Sequence, residues 1–85
     1  MLYIVAVWID REIARDWAEW MRDVHIPDVL ETGCFKWCEM TRDENGDTAE
    51  RDAYRMFYRA HSAESLAEYQ EKYAAALQAD HTSRY

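Results

Sequence analysis

The stretch HIPDVLETGCF, His25 to Phe35, decides how this chain is laid out. It joins an amphipathic segment to an apolar one. It carries the only proline, one of two glycines, one of three histidines and one of two cysteines. Pro27 lacks an N–H, and its ring clashes with the carbonyl one turn back. A helix arriving from the N-terminal side is therefore expected to stop near His25. Pro27 also pushes Ile26 away from helical geometry. One more short turn can start with Pro27 in its first position. Gly33 then ends that turn by taking the left-handed conformation.

Upstream, LYIVAVWI at 2–9 is a continuous apolar run rich in β-branched residues, which reads as a strand buried on both faces. Asp10 is the expected cap of the next helix. Ile13, Trp17, Trp20, Met21 and Val24 form its apolar stripe. Tryptophans on such a stripe read as core rather than as a cofactor box. Downstream, residues 34–42 read as a second strand and residues 50–60 as its return. Asn45-Gly46 is expected at the centre of a type I′ hairpin. That centre pairs Trp37 with Tyr54, Phe35 with Met56, Cys38 with Ala53 and Lys36 with Arg55. Trp37, Phe35, Tyr54, Met56 and Tyr58 then lie under the helices. Cys34, Lys36, Cys38, Arg55, Phe57 and Arg59 share the open face. A one-residue slip in the loop exchanges the two sets. Ser62 is the expected cap of a last helix with Leu66, Tyr69, Tyr73 and Leu77 on its stripe. His81 and Arg84 continue that spacing.

The chain has 85 residues, enough for one domain over 1–85, with 49% apolar residues and a net charge of −7. The acidic balance argues against nucleic acid as a partner. No apolar run is long enough to span a membrane. The start MLYIVAVWID has no basic leader or small-residue cleavage site, so a cytoplasmic location is expected. Cys34 and Cys38, about 13 Å apart on one strand at roughly 3.3 Å per residue, are too distant for a disulfide. Free thiols suit a reducing compartment.

The order strand, helix, strand, strand, helix is the split βαβ unit of ferredoxin-like α+β domains. The right-handed crossover leaves a gap that the third strand fills, giving an antiparallel sheet in the order 1-3-2 with both helices on one face. A fourth strand beside the first is missing. An apolar edge and a partly apolar open face call for cover. A homodimer with facing sheets is the expectation.

These segments resemble the bacterial family called domain of unknown function 4286. HIPDVLETGCF at 25–35, AYRMFYRA at 53–60 and ADHTSRY at 79–85 carry the resemblance, with LYIVAVWID and the Trp17–Trp20–Met21 helix in matching order. The resemblance covers nearly the whole chain and implies a dimeric α/β-barrel of ferredoxin-like fold. It implies no reaction.

In this topology His25, Asp28, Cys34, Tyr58 and His61 are expected at one end of the sheet. His81 and Arg84 are expected at the other, near Asp10 and the hairpin. His25 and His81 should then be about 20 Å apart at 1.5 Å per helical residue, too far for a shared metal ion. His25 reads either as a general base or metal ligand, with Asp28, His61 and Cys34 as co-ligands, or as a residue that closes a helix. His61 reads as a solvated residue before a cap. Cys34 reads as a nucleophile or as a small buried hydrophobe. His81 with Arg84 can bind a carboxylate or can simply end the helix in ion pairs. Lys36, Arg55 and Arg59 can hold an anion on the open face. Trp8, Trp37, Tyr54 and Phe57 offer a wall for a flat ligand, or plain packing. The reading is a small homodimer that binds an aromatic or anionic molecule between its sheets, through Trp8, Cys34, Lys36, Arg55, Phe57 and Arg59, without catalysis of its own. The alternatives are a cofactor-independent isomerase or monooxygenase with His25 or His81 as base, and a purely structural dimer. No cofactor and no metal ion are expected.

Overall fold

The apolar run at the N-terminus forms β1 (Leu2–Asp10). The computed structural model describes residues 1–85. After β1 come α1 (Ala14–Trp20), a π-helical turn (Met21–His25) and α2 (Ile26–Glu31). Then follow β2 (Phe35–Arg42), a 3-10 turn (Glu44–Gly46), β3 (Arg51–Ala60), α3 (Ala63–Lys72) and α4 (Ala74–Arg84). The three strands make one antiparallel sheet in the order β1-β3-β2, so the α+β split βαβ reading holds. Along β1 the side chains alternate, as a pleated strand requires. Tyr3, Val5, Val7 and Ile9 join the core with the helices. Leu2, Ile4, Ala6 and Trp8 are exposed on the other face. The expectation that β1 is buried on both faces is thus corrected: within one chain it is covered on one.

Pro27 does not end the helix at His25. Ile26 stays helical (φ −61°, ψ −45°), and the helix runs on to Glu31. The obstacle is absorbed one turn earlier. Residues 21–25 widen into a π turn, in which the Ile26 N–H reaches back to the Met21 carbonyl. The wider turn supplies the room that a proline ring takes from an α-helix. Pro27 then sits in the first turn of α2, where no N–H is needed. Gly33 ends the segment as expected, with φ +77°, the only residue with positive φ. A Cβ at Gly33 would meet nothing within 4 Å. Gly33→Ala should therefore cost backbone strain alone, about 1–2 kcal/mol, measured by urea unfolding.

Three further expectations change. Asp10 does not cap α1. Its carboxylate pairs with Arg51 at 3.1 Å, and the helix starts at Ala14 without a side-chain cap. Asn45-Gly46 does not form a type I′ turn, since neither residue has positive φ. Instead Arg42 grips the Asp47 carboxylate through two nitrogens at 2.9 and 2.8 Å, and Asp47 also accepts the Ala53 N–H at 2.8 Å. These bonds to an ionised carboxylate outweigh the dipeptide's preference. They hold the Asp47 carboxyl down at about 2. The register moves with the loop: Cys38 faces Tyr58, Met40 faces Met56 and Arg42 faces Tyr54. The shift is an odd number of residues, so Cys38 and Met40 turn to the helix side and Trp37 to the open side. A bulge at Lys36 restores Phe35 to the core, where it is buried opposite Ala60. Finally, the last helix is interrupted at Tyr73 (φ −122°), a break that no glycine or proline announces. Its start is as expected, with Ser62 Oγ accepting the Ser65 N–H at 3.1 Å.

Candidate functional site

The centre of the core is Trp17. Its side chain is fully buried, and its ring packs 4.9 Å from that of Tyr54 on the sheet. A buried indole N–H needs an acceptor. It finds one on α4, donating to Nε2 of His81 at 2.9 Å. Indole can only donate, so the accepting nitrogen carries no proton, and the neutral ring bears its hydrogen on Nδ1. His81 is thus locked in one tautomer.

His25, at the end of the π turn, has its ring 5.4 Å from Trp20 and 6.0 Å from His81. The expected separation of about 20 Å between the two histidines is overturned. Because the helix continues past His25 to Glu31, His25 lies part-way along it rather than at the sheet's end. Past the break at Tyr73, α4 lies over α1, not beside Asp10 and the hairpin loop. The Tyr85 hydroxyl donates to Asp16, and the Arg84 guanidinium lies over Trp20 at 5.6 Å. No hydrogen bond engages the His25 imidazole.

Burial lowers the pKa of His25, and His81 adds to the effect, while Asp28 and Asp80 pull it back. Burial lowers His81 as well. The consequence for stability has a definite sign. Between the lowered folded values and the ordinary 6.5, the unfolded chain binds more protons than the folded one. Stability should therefore be flat above about pH 7, decline as pH falls through 6.5, and level off once the folded imidazoles are protonated. Melting curves between pH 8 and 5 will show this, and His81→Gln should flatten the slope.

Between the helices and the sheet lies a cavity of about 150 Å³. Tyr3, Val5 and Val7 of β1 form its floor with Met56 and Tyr58 of β3, and Tyr69 closes one side. His25, His81 and Gln78 supply its polar rim. A second, solvent-open depression is lined by Asp10, Arg11, Glu12, Ala49 and Glu50. A family model described as a domain of unknown function (DUF4286) matches residues 1–85, the full length over which this fold is built. The chain belongs to the DUF4286 family. No curated protein and no solved structure matches it.

The other residues singled out from the sequence of this DUF4286 chain are scattered. Trp8, Arg55, Phe57 and Arg59 do share the open face, joined by Trp37 across from Arg59. Arg55 is paired with Asp43 at 3.3 Å. Tyr54 is on the opposite face, against Trp17. Lys36 is exposed at the bulge. Cys34 is buried, with its thiol directed to the Thr32 carbonyl, so it is not on the open face. Cys38 has moved to the helix side, and burial pushes its thiol up to about 11. Both cysteines are free. His61 is exposed, its N–H on the Cys34 carbonyl. No group of three His, Cys, Asp or Glu side chains is gathered closely enough to share a metal ion. No helix is long and apolar enough to cross a membrane. Tyr3, Tyr69 and Gln78 were not marked by the sequence as site residues. Tyrosines in a core stripe look the same whether they pack or line a cavity, and only the break at Tyr73 brings Gln78 to the rim.

Proposed function

We propose that this DUF4286 protein works as a homodimer whose open sheet faces meet and hold a small aromatic or anionic molecule, without catalysis of its own. The observation that carries this reading is the open face. Leu2, Ile4 and Trp37 are 44–51% exposed there near Phe57, with Glu39 across from it, and Trp8, 50% exposed, lies further along β1 beyond Ala6. Large apolar side chains exposed together on one face are the mark of an interaction surface. A second copy offers the same patch, so a twofold contact is self-complementary. Arg59 lies in the patch without an ion-pair partner, facing Leu2 on one side and Trp37 on the other, and is the cation for an anionic group. Light scattering on the eluting protein should give twice the 10.2 kDa chain mass at micromolar concentration. A naphthoate should raise the melting temperature, and Arg59→Gln should remove that shift. A monomer that ignores the naphthoate would overturn the proposal. A dimer that ignores it would leave a structural role.

A second reading, a cofactor-independent isomerase or monooxygenase, rests on one observation. The His25 imidazole has no partner and lines a cavity, whereas the basic nitrogen of His81 is occupied by Trp17. On that reading His25 alone is the base.

A further inference from the structure

We infer that the cavity between the helices and the sheet is a binding site for a neutral, single-ring compound carrying a hydroxyl group, such as a phenol, which hydrogen-bonds to His25 and His81. This site lies on the opposite side of the sheet from the open face and does not depend on dimerisation.

Size is the first argument. The cavity measures about 150 Å³, the volume that holds one benzene-sized ring in an apolar core. Its floor of Val5, Val7 and Met56 suits such a ring, and Tyr3 and Tyr69 can meet its edge or face.

Charge is the second. No Asp, Glu, Lys or Arg lines the cavity. At pH 8, where both imidazoles are neutral, a carboxylate or an ammonium group would lose hydration there with no counter-ion to replace it. The ligand is therefore uncharged, unlike the anion proposed for the open face.

The polar rim is the third. His81 has only Nδ1 left, and that nitrogen carries the proton, so it can donate but not accept. Neither nitrogen of His25 is engaged, so it can accept. One donor and one acceptor together match a hydroxyl, which is both. Two nitrogens can each sit about 2.8 Å from one oxygen if they are within about 5.6 Å of each other. Rings with centroids 6.0 Å apart allow that. A ketone or an ether would leave His25 without a donor, and a bare hydrocarbon would leave both imidazoles unanswered.

The test compares phenol, toluene and benzoate on the full chain by two-dimensional NMR titration at pH 8. Phenol should bind about fivefold tighter than toluene, the ratio for about one net hydrogen bond, and benzoate should not enter. The shifts should fall on Tyr3, Met21, Tyr69 and His81, and not on Ile4 or Phe57 of the open face. His25→Leu, which keeps the volume, should cancel the advantage of phenol over toluene. Phenol no tighter than toluene in the unaltered protein, entry of benzoate, or shifts confined to the open face would each overturn the assignment. These readouts need no variant and no knowledge of the oligomeric state.

Discussion

Trp17→Ala should remove a large share of this chain's stability. Truncating a fully buried tryptophan costs about 3–5 kcal/mol, and Trp17 has no exposed surface at all. A chain of 85 residues has roughly 4–13 kcal/mol of stability in total, at about 0.05–0.15 kcal/mol per residue. The variant also strands Nε2 of His81 and removes the wall against which Tyr54 packs. A melting temperature lower by roughly 12–40 °C is expected, at about 4–8 °C per kcal/mol. Trp17→Phe separates the two contributions. It keeps most of the ring but deletes the donor, so His81 is free to take a proton on Nε2. The decline in stability below pH 6.5 should then become shallower. Melts of both variants at pH 8 and pH 5 check this. A Trp17→Ala protein that melts within a few degrees of the parent would mean that the core is not centred on this residue.

Ile4→Asp should break the proposed homodimer into monomers. Ile4 is 51% exposed in one chain and sits opposite Phe57 in the middle of the open face. In a twofold dimer the substitution places two like-charged carboxylates inside an apolar contact. Truncating or burying such groups costs several kcal/mol, and each 1.4 kcal/mol is a factor of ten in the dissociation constant. A dissociation constant at least a hundredfold higher is expected. The isolated chain should barely notice, since an exposed substitution typically stays within about 0.5 kcal/mol. Sedimentation over a concentration series measures the first quantity, and urea unfolding of the dilute protein measures the second. Equal masses for parent and variant would remove the open face as the contact.

What could be read in the chain, and what could not, divides by the range of the interaction. Strand order followed from local signals: the apolar run at 2–9, the periodic stripe from Ile13, and Gly33 as a stop. The register of β2 did not follow, because it is set by the fork between Arg42 and Asp47 and not by the Asn45-Gly46 pair between them. A side-chain bond of that kind leaves no periodic trace. The pairing of the two histidines is not legible in the sequence for two reasons. The rule for proline in an α-helix stops the helix near His25, whereas the chain widens one turn to admit Pro27. Tyr73 interrupts the last helix with nothing in its neighbours to signal a break. His81 did fall on the inward stripe as its spacing suggested. Its partner was legible only once α4 was seen to cover Trp17.

The turn at Met21–His25 has a consequence for how this segment tolerates changes in length. It spends one residue more per turn than its flanks, so the helix before it and the helix after it are out of phase by about 100° relative to a regular α-helix. Removing any single residue between 21 and 25 would restore regular winding and put the proline clash back. It would also swing either Trp17 or His25 off its present bearing. Indels here are therefore felt at both ends of the segment at once.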